Sequence, residues 1–258
     1  MFTRLSLALA PRKRTCSFLV TARHFATQTK LRKVVAYEKG KLLLPPISKE
    51  LVGRKCLVLD LDETLVTSET GEYEKEKALK VWPHVVYDFE VVRDFSETVY
   101  VRKRPGVDRF LKHVGAMFEV VVFTASREQR AHATLDKLDV GGVIHHRLGR
   151  EACIDTGRSW GKDMSALGRP LKDIIFVDNT PAAYEMQPEN GVPISTWFED
   201  PHDTELLDLL PMLEEASKAD DVRPVIARRQ QSFVPKALKH KDRHGNLDKY
   251  GYFLGIGK

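Results

Sequence analysis

Cysteine is scarce: Cys16, Cys56 and Cys153 are the only three in 258 residues, with neither redox-pair nor thiolate-metal spacing. That excludes a disulfide framework, and Cys56 and Cys153 read as reduced, structural thiols. Long apolar runs are missing too. No stretch of about 18 apolar residues occurs, and Leu5 to Ala10 is too short for a signal or membrane helix, so a soluble or peripheral chain is expected. His145-His146 has no spaced acid or cysteine that would argue for a metal, and Trp82, Trp160 and Trp197 read as packing residues.

Acid is absent from the beginning of the chain. Eight Lys or Arg precede Glu38, and residues 227–258 carry eight more against Asp242 and Asp248. Removing those sixteen basic and two acidic residues from the totals of 41 and 36 leaves 25 against 34 in residues 34–226, a net of −9. The body is acidic between basic ends, so nucleic acid is not an expected partner. In Met1 to Lys33, arginines are interleaved with Leu, Phe, Ser and Thr, the composition of a mitochondrial transit peptide; the alternative is a basic tail. Residues 34–50 form a linker in which Pro45-Pro46 forbids a continuous helix. Residues 219–258 read as a basic extension without sustained periodicity from Ala227 onward.

The informative stretch is Leu57-Val-Leu-Asp60-Leu-Asp62-Glu-Thr64-Leu-Val66. A short apolar run with strand propensity delivers two carboxylates two positions apart, so both can lean to one side of the strand's exit. Close acids repel unless a cation lies between them, and Mg²⁺ takes one or two carboxylates plus phosphate oxygens. Alone, Asp-x-Asp is more often a strand-to-turn exit with solvated aspartates. Two further apolar runs shift the balance. Phe118 to Phe123 ends in Thr124-Ala-Ser126, and Asp173 to Val177 ends in Asp178-Asn179. In a parallel α/β sheet such strand ends meet at one rim, where ligands bind.

Between these runs, Thr67 to Trp82 reads as a loop or short helix, and Val85–Val91 with Glu97–Val101 as a hairpin around Arg93–Ser96. Helical apolar spacing covers Val107 to Met117, and a second helix is expected from Glu128 to Leu138. Neither interval has room for a large cap as well as these elements. An open site, suited to a macromolecular substrate, follows.

Asp60-Leu-Asp62-Glu-Thr64-Leu-Val66, Thr124, Lys162-Asp163 and Val177-Asp178-Asn179 resemble the haloacid dehalogenase superfamily, and within it the small phosphatases acting on the RNA polymerase carboxy-terminal domain. The similarity runs over residues 51–218 and takes in Arg104-Pro-Gly-Val-Asp108, Leu167-Gly-Arg169 and Asp203-Thr-Glu-Leu206. It implies an α/β, Rossmann-like fold with a parallel sheet, a small β-hairpin insertion and no large cap. It also implies phosphoryl transfer in which Asp60 is the nucleophile and Asp62 the general acid and base. Asp60, Asp178 and the Asp62 backbone carbonyl would hold Mg²⁺, and Thr124 and Lys162 the phosphate, with Thr64 and Asn179 in support.

Gln187-Pro-Glu-Asn190-Gly-Val-Pro193 and Asp221-Val-Arg-Pro-Val225 carry a second resemblance, to the receptor subunit of the mitochondrial inner-membrane presequence translocase. It implies an import receptor, peripheral to the inner membrane and facing the intermembrane space, whose partners are basic presequences and translocase subunits. This is the leading reading of role. The alternative is a soluble mitochondrial Mg²⁺-dependent phosphoserine/phosphothreonine phosphatase, in the matrix, with a phosphoprotein substrate.

Overall fold

The computed structural model describes residues 42–92, 98–157 and 159–235. The expected leader, most of the linker, the Arg93–Ser96 turn and the end of the basic extension lie outside them. In chain order come β1 (Cys56–Leu59), β2 (Val66–Thr70), α1 (Gly71–Val81), β3 (Phe89–Val92), β4 (Thr98–Lys103), α2 (Val107–Met117), β5 (Glu119–Phe123) and α3 (Glu128–Leu138). Then follow β6 (His146–Leu148), β7 (Ile154–Asp155), β8 (Trp160–Gly161), β9 (Ile174–Asp178), β10 (Gly191–Pro193), α4 (Glu205–Asp208), α5 (Leu210–Lys218) and α6 (Arg223–Ser232).

Five strands form a parallel sheet in the order β10-β9-β1-β5-β6. The chain runs from β1 through β5 to β6 on one side, then returns to lay β9 and β10 on the other. β1 is therefore the strand at which the winding reverses, the place where α/β sheets bind ligands. Its residues Cys56, Leu57, Val58 and Leu59 are buried because both faces are covered. Leu57, Leu59, Val120, Val122, Ile175 and Val177 share one core with α2, α3, α5 and α6. Cys56, Val58, Val121, Phe123, Ile174 and Phe176 pack on the opposite face against Met164, Leu167, Ala183 and Tyr184. Both expected helices sit at the expected residues. Val107, Phe110, Leu111 and Val114 are the buried stripe of α2.

The insertion between β1 and α2 is larger than the expected hairpin. It is a three-stranded antiparallel sheet, β2-β4-β3, with α1 after β2. Thr67 to Trp82 is thus a strand and an 11-residue helix rather than a loop or short helix. β2 owes its existence to distant partners: it pairs with β4, and Glu69 is buried there against Arg102 at 2.5 Å. Gly71, at φ +78°, turns the strand into the helix, a left-handed conformation that suits glycine.

The expected domain limit at residue 218 falls short of the packed unit. Val225 and Ile226 of α6 belong to the main core, Val222 N–H donates to the Lys172 carbonyl at 2.9 Å, and Gln230 Nε2 donates to the Gly191 carbonyl at 2.7 Å. At the other end, Leu44 is buried and Leu43 N–H donates to the Ala166 carbonyl at 2.8 Å, so part of the linker is docked as well. Ile226→Ala is expected to destabilise the protein by about 2–4 kcal/mol through the cavity it leaves, read as a lowered denaturant midpoint at unchanged slope. A change within about 0.5 kcal/mol would place α6 outside the cooperative unit.

Candidate active site

The carboxyl ends of β1, β5 and β9 meet at one rim, and Lys162, immediately after β8, reaches into it. Asp60 follows β1 directly, held in line by its N–H donating to the Val177 carbonyl at 3.0 Å. The Lys162 ammonium donates to Asp60 Oδ1 at 2.6 Å and to Asp178 Oδ2 at 2.7 Å, with all three side chains buried. Burial works against the Lys162 charge, but Asp178 and Asp60 more than offset it and the ammonium titrates above its ordinary range. Asp60 goes the other way. Its carboxyl is pushed up to about 7, chiefly by burial and further by Asp178 and Asp62, against the pull of Lys162.

Asp62 faces a different set of groups. Its Oδ2 accepts hydrogen bonds from Thr124 Oγ1 at 3.1 Å and Ser126 Oγ at 2.6 Å. Thr124, expected to hold a phosphate, therefore gives its hydroxyl proton to Asp62, while its oxygen accepts from Ser126 N–H at 3.0 Å. Ser126 is a site residue that motif spacing missed; the signal was a second hydroxyl just past a strand end. Cys153 lies behind Thr124, its thiol pushed up to about 12 by burial, which keeps it protonated.

The loop Asp62-Glu63-Thr64-Leu65 is tightly bent. Glu63 is at φ +63°, a conformation that costs on the order of 1–3 kcal/mol for a non-glycine residue unless its surroundings impose it. Here they do: Glu63 N–H donates to the Val66 carbonyl at 2.6 Å, and Trp197 N–H donates to the Glu63 carbonyl at 2.9 Å. Thr64 supports the loop as expected, but through a distant partner rather than a local bond: its hydroxyl donates to Asn179 Oδ1 at 3.1 Å. Asn179 Nδ2 in turn donates to Thr196 Oγ1 at 3.0 Å.

Beneath the loop lies a buried ion pair whose role the motifs did not reveal. Arg104 donates from Nε and Nη2 to the two oxygens of Asp203, at 2.8 and 3.1 Å, and from Nη1 to the Thr64 carbonyl at 3.2 Å. One guanidinium thus ties the Asp62–Leu65 loop to the segment before α4.

Asp60, Asp62, Thr124, Lys162, Asp178 and Asn179 line one cleft of about 340 Å³. Trp160, read from sequence as packing, forms part of its wall, and the Arg150 guanidinium lies 5.0 Å from the Trp160 ring centre. Among the described residues no cluster of three or more His, Cys, Asp or Glu side chains could hold a metal by itself. Two buried carboxylates, Asp60 and Asp178, converge at the Lys162 end. Such a donor set fits Mg²⁺, which needs one or two protein carboxylates and fills its remaining positions with water, carbonyl or phosphate oxygen. His145 and His146 have structural partners instead: His145 Nδ1 accepts from Val120 N–H at 3.0 Å, and His146 contacts Glu119 at 3.0 Å.

Comparison with known proteins places this arrangement among phosphatases. Residues 55–223 match the family model described as NLI interacting factor-like phosphatase. Phosphatase PSR1 of Saccharomyces cerevisiae is 49% identical over 176 residues, covering 68% of this chain and 39% of that protein. The CTD small phosphatase-like protein of Homo sapiens is 45% identical over 192 residues, covering 73% of this chain and 66% of its own. The chain thus spans between about two fifths and two thirds of the length of these relatives. The solved structure of the fission yeast RNA polymerase II CTD phosphatase Fcp1 bound to beryllium fluoride matches at TM-score 0.45 and 17% identity, over 70% of this chain and 55% of that one.

Replacing Asp203 by Ala leaves the Arg104 charge buried and unpaired. The expected loss is about 3–5 kcal/mol of stability by chemical denaturation. A loss below about 1 kcal/mol would show that the loop is not braced from this side.

Proposed function

The chain belongs to the NLI interacting factor-like phosphatase family, and on that premise we propose that it is a Mg²⁺-dependent protein phosphatase that hydrolyses phosphoserine or phosphothreonine. The single observation that carries the reading is Lys162 bridging Asp60 and Asp178 beside an Asp62 oriented by two hydroxyls. In phosphoryl transfer the protein must place a nucleophile in line, neutralise oxygen charge and protonate the leaving group.

Asp60 attacks phosphorus and becomes an aspartyl phosphate as the P–O bond to serine or threonine breaks. Asp62 gives a proton to the departing alkoxide, then takes one from the water that hydrolyses the intermediate. Thr124 and Ser126 fix Asp62 for both transfers. Lys162 offsets the charge of the phosphate oxygens while keeping Asp60 and Asp178 in register. Bound through Asp60, Asp178 and the Asp62 carbonyl, Mg²⁺ would supply the remaining charge neutralisation. The cleft opens at the surface of the sheet's rim, which suits a protein segment as substrate. PSR1 is a phosphatase by name and the human relative a CTD small phosphatase-like protein, which supports hydrolysis over the import-receptor role implied by the second resemblance.

Mitochondrial residence remains part of the proposal, resting on the composition of residues 1–33. No helix among the described residues is long and apolar enough to cross a membrane. Incubated with energised mitochondria, the full chain is expected to become protease-protected and shortened by removal of its basic leader; if it stays full-length and protease-sensitive, the localisation is wrong.

The full chain is expected to hydrolyse an aryl phosphate and a phosphoserine peptide, with loss of activity on chelation and recovery when Mg²⁺ is returned. Asp60→Asn should lower kcat/KM by at least ~10³-fold, as expected for loss of a nucleophile. Activity equal to that of Asp60→Asn, from folded protein with Mg²⁺, would sink the phosphatase reading.

A further inference from the structure

Past Asp62 the cleft continues into a second opening bounded by β2, the start of α3 and the turn after β6. The two share Asp62, Glu63 and Ala125, but the second adds Arg130 and Arg150, which the catalytic cleft does not contain, together with Ser68 and Thr70. Both arginines are half-buried. Neither is paired with a carboxylate among the described residues. Arg130 Nη2 donates to Ser68 Oγ and Arg150 Nε to the Ala125 carbonyl, each at 2.5 Å.

About half of the arginines among the described residues are neutralised by an acid, and these two are not. Arg147, Arg169 and Arg223 each meet an acid, Asp136, Glu119 and Asp221 respectively. A guanidinium carries five N–H donors in a planar fork, so Arg130 and Arg150 keep most of theirs for a group outside the chain. Three acids also line the opening: Asp62, whose Oδ2 takes the two hydroxyl bonds described above, Glu63, and Glu74, which lies 4.0 Å from Lys77 of its own helix; none of them pairs with Arg130 or Arg150. The reacting phosphate belongs at the Lys162 end, so the arginine pair serves a different anion.

We propose that this opening is a subsite for a second phosphate on the same peptide, held by Arg130 and Arg150 with the hydroxyls of Ser68 and Thr70. Doubly phosphorylated segments would then be the preferred substrates. Phosphate matches the site better than carboxylate does, because its three oxygens can accept from two forks and two hydroxyls at once. The inference deepens the phosphatase reading and rests on it for the identity of the first phosphate.

The test is binding, measured by fluorescence anisotropy on the full chain carrying Asp60→Asn, which cannot turn the peptide over. The probes are a peptide with one phosphoserine, a series with a second phosphoserine one to four residues to either side, and the same series with glutamate in its place. At least one doubly phosphorylated spacing is expected to bind about tenfold more tightly than the singly phosphorylated peptide. Adding Arg130→Met should reduce that ratio below about twofold, and Arg130→Lys should restore part of it. Raised salt should shrink it. Because the readout is a ratio within each protein, partial misfolding of a variant cancels.

No spacing binding more than about twofold more tightly, or a preference that survives Arg130→Met with Arg150→Met, overturns the subsite. An equal gain from glutamate overturns the phosphate assignment. Failure of the phosphatase reading is separate, because it appears as absent aryl phosphate hydrolysis by the unsubstituted chain.

Discussion

Two carboxylates on neighbouring parallel strands, bridged by one buried ammonium, set the conditions for everything else at this rim. Asp60 and Asp178 are placed by the pairing of β1 with β9, and Lys162 is brought between them by the strand that precedes it. Burying these charges would be costly if they were not matched to one another. The match is incomplete, since Asp62 adds a third carboxylate to the neighbourhood and one lysine cannot neutralise three. The remaining negative charge is the physical reason that a divalent cation suits this site, and a phosphate ester, itself an anion, would add to the charge such a cation offsets.

The bridge is only as well placed as the loop that follows Asp60, and that loop is held from outside the parallel sheet. Glu63 would not adopt a left-handed conformation alone; the Val66 and Trp197 backbones impose it. Arg104 enters from the end of the inserted sheet and binds both the loop and Asp203, so the insertion and the C-terminal layer are locked to the exit of β1 by one side chain. A brace of this kind is worth more as positioning than as stability. Breaking one half leaves an uncompensated charge, whereas replacing both halves by apolar groups can be nearly neutral.

The parallel strands and the two central helices were legible in the sequence because their signals are local. Continuous apolar runs mark strands covered on both faces, and Val107, Phe110, Leu111 and Val114 repeat at helical spacing. Asp60, Asp62, Thr124, Lys162, Asp178 and Asn179 were legible as a set, and the fold does bring them to one cleft. What escaped were features defined by a distant partner. β2 is strand because β4 lies beside it and Arg102 receives Glu69. Thr64 reaches Asn179 rather than its own backbone, and Ser126 matters only because Asp62 points at it. α6 looks like part of a basic tail until Val225 and Ile226 meet the core. Periodicity reports which face a residue turns inward, not what it meets there.

The inserted sheet also explains how an open cleft can still be selective. Among the described residues no large cap encloses the cleft, so on the proposed function discrimination would come from walls fixed relative to Asp60 and Asp62. β2 supplies such a wall, because it begins directly after the Asp62–Leu65 loop and Val66 bridges back to Asp62. Ser68 and Thr70 therefore stand on a strand whose register is tied to Asp62, and Arg130 reaches across to Ser68 from α3. A group gripped there sits at a set distance from Asp62 without any closing motion. A lid would have to trade access against enclosure, whereas a rigid wall would leave the cleft open to the proposed protein segment and could read the residues beside the one that reacts.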